Sequence, residues 1–164
     1  MKTLLYRYIA SSIHKPEQFI TGHSAEWQSW CIYQIFKAMG FEIDMINWKS
    51  KYYDVGKTYD VIFDIVDLSQ LVPAFREDTI KIFMLTGADN VWRNQQGEAR
   101  VRFVNERRGC DLSYARRISD PYKTYRSIEL ADYVLLNGNH ETLSTYPERY
   151  QDRIHLQDTI GSLL

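Results

Sequence analysis

Cysteine is scarce in this 164-residue chain: Cys31 and Cys110 are the only two, and they lie far apart. Two such residues supply neither metal-ligand spacing nor a disulfide framework, so they read as reduced thiols of a cytosolic protein. Long hydrophobic runs are missing as well; no stretch approaches the roughly 18 apolar residues of a membrane span. The opening "MKTLLYRYIASS" is too interrupted by Arg7 and two tyrosines for a signal peptide and reads as a strand. Neither sign of charge dominates. Twenty Lys and Arg against 21 Asp and Glu leave a net charge of -1, so no overall field argues for nucleic acid.

The glycine signatures of common cofactor sites are also lacking. The first strand-to-helix turn reads "SSIHKPEQFITGHS", without the G-x-G-x-x-G that cradles a dinucleotide pyrophosphate, and no G-x-x-x-x-G-K-[ST] occurs. "HETLS" misses the zinc pattern H-E-x-x-H because Ser144 stands where the second histidine belongs. No metal site and no bound cofactor are expected. Repeats, low-complexity tracts and interdomain linkers are not visible, and the length suits one domain over residues 1–164.

Aromatic residues are plentiful, with 12 Tyr, 7 Phe and 4 Trp, which favours a packed domain over disorder. Strand-like and helix-like segments alternate. Residues 3–10, 41–48, 59–66 and 79–87 ("TIKIFMLTG") read as strands, followed by "DYVLLNG" and "RIHLQDT". Several are near-continuous Val/Ile/Leu/Phe runs, as expected of strands covered on both faces. Between them, Trp27, Trp30, Cys31, Ile35, Ala38 and Met39 recur at helical spacing and Gly40 suits the helix C-terminus, with Thr21 or Ser24 as N-cap. "LSQLVPAF" reads as a short helix broken by Pro73. Residues 90–108 form a long basic helix stopped by Gly109, and two short helices follow within "YRSIELA" and "NHETLSTYP". The expected fold is α/β: a Rossmann-like three-layer sandwich with a mostly parallel sheet.

Ligands of open α/β sheets bind at the carboxyl ends of the strands. Three segments are expected there: "TGHSAEW", "TGADN" and "NGNHET". Each joins glycine to polar residues ahead of a helix, whose first N–H groups suit an anion or sugar hydroxyls. Thr86, Gly87, Asp89, Asn90, Gly138, Asn139 and His140 are the candidate binding residues. His23, just ahead of the first helix, is the candidate base. Asp64 and Asp67 form a carboxylate pair of the kind that can do acid–base chemistry, but an aspartate ending a strand and another capping the next helix is the commoner use. The basic stretch of residues 93–126 offers Arg100, Arg107, Arg108, Arg116 and Arg117 for a phosphate, a carboxylate or a membrane surface.

Taken together, "HSAEWQSWCIYQIFKAMGFEIDMINW", "YDVIFDI", "IKIFMLTGADNVWRNQQGEARVRFVNERRG", "YARR" and "ELADYVLLNGNHETLSTY" resemble the N-terminal domain of bacterial GT-B-type, family-4-like glycosyltransferases. Thr86, Gly87, Arg107, Arg108 and Gly109 match that pattern, whereas Asp89 stands near the place of a usual histidine. The resemblance implies half of a GT-B architecture that binds a glycan or lipid-linked acceptor. The nucleotide-sugar donor would bind a C-terminal domain outside this chain or a separate donor subunit. It further implies a cytoplasmic protein with peripheral membrane contact, or one that self-associates through its cleft face. Two other readings stay open: a non-catalytic Rossmann-like partner module, and a small nucleotide-binding α/β enzyme.

Overall fold

The computed structural model describes residues 2–14, 24–50 and 56–157. Six strands form one sheet: β1 (Thr3–Tyr8), β2 (Glu42–Asn47), β3 (Val61–Asp64), β4 (Ile80–Leu85), β5 (Tyr133–Asn137) and β6 (Ile154–Gln157). Their order is β2-β1-β3-β4-β5-β6, and every neighbouring pair is parallel. The helices are α1 (Ser24–Ala38), α2 (Asn90–Arg108), α3 (Lys123–Leu130), α4 (His140–Leu143) and α5 (Glu148–Gln151). Short 3-10 turns occupy Ala10–His14 and Leu68–Ala74. The fold is Rossmann-like, with helices on both faces of the sheet.

The alternation along each strand explains the near-continuous apolar runs. Leu5, Ile62, Phe83 and Leu85 pack on one face with Leu68, Leu71 and Ile128. Leu4, Tyr6, Tyr8, Val61, Phe63 and Met84 pack on the other with Ile32 of α1. Successive residues point to opposite faces, so a strand with both faces covered has no polar phase to show.

The elements end where local chemistry says they should. α1 closes with Gly40 in the left-handed region, φ +81. The Gly40 N–H donates to Lys37 O and the Phe41 N–H to Phe36 O, the two bonds of a Schellman motif. Its customary apolar contact is an edge-on pair of Phe36 and Phe41, 5.4 Å between ring centres. α2 starts at Asp89, whose carboxylate accepts the Trp92 N–H, and stops at Gly109, φ 60. Pro73 does not break the segment after β3; it sits inside the 3-10 turn Leu68–Ala74, where Asp67 caps the start.

The stripe of α1 that faces the sheet is not the apolar one read from the sequence. Gln28, Ser29 and Ile32 are buried, with Ala25, Tyr33 and Phe36 packed beside them. Ile35 and Met39 are 56% and 64% exposed. The cause lies in β1, whose Tyr6 and Tyr8 carry hydroxyls into that interface. Tyr6 donates to the Ser29 carbonyl and hydroxyl, and Tyr8 to Gln28 Oε1 at 2.8 Å. Buried hydroxyls need partners, and the polar stripe supplies them.

At the opposite, N-terminal edge of the sheet, Asp60 joins β1 to the segment before β4. It accepts from the Thr3 N–H and hydroxyl and pairs with Arg76. The Thr3 backbone bond, then Arg76, pull its pKa down to about 2. A depressed carboxylate contributes stability that is present above the ordinary carboxylate range and lost as pH falls toward the folded value. The denaturant midpoint should therefore drop between about pH 4 and about pH 2. Asp60→Asn should lower the neutral-pH midpoint and flatten that acid limb, as read by urea titrations followed by circular dichroism. An unchanged limb would remove Asp60 from the acid response.

Candidate functional site

The strand order reverses between β1 and β3, because the chain leaves β1 for β2 on one side and returns for β3 on the other. A crevice is expected above the carboxyl ends of strands at such a point. A cleft of about 880 Å³ is present there. Its lining includes Tyr8 and Ile9 from the end of β1, Ile65 and Val66 after β3, residues 83–88 of β4 and its loop, and Asn137 at the tip of β5. Ser24, Ala25 and Glu26 of α1, Asn90 and Arg93 of α2, and Lys123 and Thr124 of α3 complete the walls with Trp48, Ile118 and Tyr146. Such a volume suits a drug-sized or disaccharide-sized molecule. A second hollow, about 420 Å³, is lined by Gln95, Glu98, Ala99 and Arg102 of α2 alone. With no convergent groups from other elements, it has no means of orienting a ligand.

The loop after β4 is held from both sides. The Tyr146 hydroxyl donates to Gly87 O at 2.6 Å, the Asp89 N–H to the Thr145 hydroxyl at 2.9 Å, and Asn90 Nδ2 to the Thr124 hydroxyl at 2.9 Å. Thr86 and Gly87 thus face the cleft on a fixed support. A Cβ on Gly87 would meet nothing within 4 Å, so glycine there leaves open space beside the cleft. Gly138 differs: a Cβ would lie 2.8 Å from Thr142, so this glycine lets α4 close onto its cap.

Asp89 is buried beneath the loop at 2% exposure, bonded to the Trp92 N–H at 3.0 Å. It is the cap of α2 and not part of the cleft lining. Because its carboxylate already takes that N–H, the first turn of α2 is less open to an outside anion than the sequence suggests. Burial, then the adjoining Asp89 carboxylate, push the Tyr125 phenol well above its usual range. Burial and Asp89 push Tyr146 up in the same way, and the Arg93 charge acts against them. Burial alone pushes Tyr8 up to about 12, so it is a neutral hydrogen-bonding phenol at physiological pH.

Among the residues expected from sequence, Thr86, Gly87, Asn90 and Asn137 meet in the cleft together with Ser24. His23 lies outside the described residues. Asn139 and His140 do not line the cleft: Asn139 caps α4 by accepting the Thr142 N–H and hydroxyl, and His140 is exposed. Arg100, Arg107, Arg108, Arg116 and Arg117 are exposed and do not line it, although Arg116 and Arg117 directly precede the lining residue Ile118. Arg107 and Arg108 share α2 with Asn90, but they end a 19-residue helix, roughly 25 Å from its start. There they complement the helix dipole. Arg117 pairs with Glu98.

Of the two readings of Asp64 and Asp67, the structure shows the strand end and cap, not the acid–base pair. Asp64 is fully buried and bidentate to Arg7, with Nε–Oδ1 and Nη2–Oδ2 both 2.6 Å. Asp67 accepts from the Ser69 N–H and hydroxyl and caps the 3-10 turn. Both carboxylates are occupied by structural partners, and neither lines the cleft.

Four cleft-associated residues did not stand out in the sequence: Tyr8, Gln28, Arg93 and Lys123. Arg93 and Lys123 belong to the basic stretch, but charge density pointed past them. Position was the better signal, since Arg93 ends the first turn of α2, the helix that follows β4, and Lys123 opens α3. Among the described residues, no cluster of His, Cys, Asp and Glu suits a metal ion, and no helix is long and apolar enough to cross a membrane. Comparison with protein-family models, curated proteins and solved structures finds no match.

Proposed function

We propose that this chain is the acceptor-binding domain of a glycosyltransferase, which holds a glycan or lipid-linked acceptor while a nucleotide-sugar donor occupies a second domain or subunit. The observation that carries this reading is the composition of the cleft. Hydrogen-bonding side chains from four separate elements, Tyr8, Thr86, Asn90 and Asn137, converge on a space bounded by the apolar surfaces of Trp48, Ile65 and Ile118. Sugars present this combination of hydroxyl edges and apolar ring faces. No glycine-rich turn or opening lysine offers a diphosphate cradle at β1. The resemblance of the chain to GT-B N-terminal domains supports the same reading. His23 immediately precedes Ser24, a cleft residue, and is the residue proposed to contact the reacting acceptor hydroxyl.

The test is an amide-resolved NMR titration of the chain with neutral oligosaccharides, with UDP-sugars and with ATP. Oligosaccharides are expected to shift Thr86, Gly87 and Asn137 saturably, and the nucleotides to gain nothing there from base and ribose, shifting these amides no more than inorganic phosphate does. Saturable nucleotide shifts at these amides, with none from any saccharide, would overturn the proposal in favour of a nucleotide-binding α/β protein.

A further inference from the structure

Arg93 and Lys123 come from different helices, line the same cleft, and have no ion-pair partner among the described residues. Of the other basic residues between 93 and 126, Arg117 pairs with Glu98 and Arg126 with Asp120, and none lines the cleft. Against the two cations the described lining carries one carboxylate, Glu26 of α1. Like charges brought to one concave site strengthen the local field and favour an anion. The start of α2 does not supply that seat, because Asp89 caps it.

A second observation concerns neutral polar groups. Gln28 is 2% exposed and sits behind two lining residues: its Oε1 accepts from Tyr8 Oη and from Asn137 Nδ2, at 2.8 and 3.3 Å. Among the described residues, Gln28 Nε2 and Asn137 Oδ1 are buried without a partner. Exchanging O and N in both amides leaves the same count, one donor and one acceptor unmet. A donor and an acceptor side by side are what a sugar hydroxyl pairs with, since it gives one hydrogen and accepts another.

We infer that the ligand of this cleft is an anionic saccharide, with its phosphate or carboxylate held by Arg93 and Lys123 and its hydroxyls bonded at the Asn137–Gln28 amide pair. The inference rests on the saccharide reading above and narrows it to a charged class. It also moves the anion seat from the arginine-rich end of α2 to the cleft.

Titration of the full chain with glucose, glucose 1-phosphate, glucuronate and inorganic phosphate tests it, with cleft amide shifts as the readout. At least one charged sugar is expected to bind about tenfold or more tighter than glucose, as charge-assisted bonds provide. It should also bind tighter than inorganic phosphate. The advantage should shrink between about 50 mM and about 500 mM salt. Which charged sugar gains identifies the anion as phosphate or carboxylate. Arg93→Gln with Lys123→Gln should abolish the advantage, Arg93→Lys alone should keep part of it, and Arg100→Gln, remote from the cleft, should leave it whole. Asn137→Ala should weaken sugars and not phosphate. Equal binding of glucose and both charged sugars, or an advantage that survives the double variant, overturns the anion seat while leaving the saccharide reading standing. Phosphate shifts without shifts from any sugar overturn both.

Discussion

Asp64→Ala is expected to cost about 3–5 kcal/mol, because it leaves the Arg7 guanidinium buried without its counter-charge. Arg7 is 1% exposed and Asp64 0%, on the adjacent strands β1 and β3. Four of the five guanidinium N–H groups are used. Besides its two bonds to Asp64, Nη1 donates to Gln70 Oε1 at 3.0 Å and Nη2 to the Asp67 carbonyl at 2.7 Å. Asp64 in turn accepts the Val66 and Asp67 N–H groups at 3.0 and 2.8 Å, which turns the chain out of β3. The loss would be a large share of the roughly 5–15 kcal/mol that holds a domain folded. Replacing both partners with apolar residues, often harmless for a buried pair, should not restore stability here. The two N–H groups would remain unmet, at about 1–3 kcal/mol each. Urea unfolding of Asp64→Ala and of the Arg7→Met/Asp64→Leu pair checks this. A loss below about 1 kcal/mol in the single variant would contradict the buried pair.

Gln28→Leu, which would make α1 look more amphipathic on paper, is expected to destabilise by about 2–4 kcal/mol. Two donors lose their acceptor at once, Tyr8 Oη and Asn137 Nδ2. Leucine satisfies neither. Ile35→Ser, on the exposed face of the same helix, should stay within about 0.5 kcal/mol of the parent. Thermal unfolding of the two variants side by side separates the faces. Equal losses would mean that α1 packs by its apolar stripe after all. Because Gln28 backs Tyr8 and Asn137, its substitution should also weaken any ligand of the cleft beyond what the loss of stability explains.

How much was legible varied with the range of the deciding interaction. The bounds of α2 were readable at residue level, since its caps act within one turn, although Asp89, which caps the start, was read as a binding residue. The Gly40 terminus of α1 was readable for the same reason. The strands were readable as runs, although β1, β3 and β4 are shorter than their apolar stretches. Those stretches continue past the last ladder bond, and in β3 and β4 they continue into the cleft wall. The buried face of α1 was not readable. Trp27, Trp30, Cys31, Ile35 and Met39 form a valid helical stripe, and only the hydroxyls of β1 decide that the face carrying Gln28 and Ser29 among Ile32, Tyr33 and Phe36 turns inward. Asp64 looked like half of a carboxylate pair because its partner, Arg7, lies on another strand.

The residues alone determined an α/β chain with a parallel sheet, and they marked Thr86, Gly87, Asn90 and Asn137 by their position after strands, since period, caps and turn chemistry are local properties. Only the tertiary structure decided which charges matter. It gathered Arg93 and Lys123 at the cleft and left Arg107 and Arg108 at the far end of α2. It also tied Gln28 to Tyr8 and Asn137, and closed Asp64 onto Arg7. Side chains distant along the chain meet only when the sheet order and the helix azimuth are set, and those follow from burying the whole core at once.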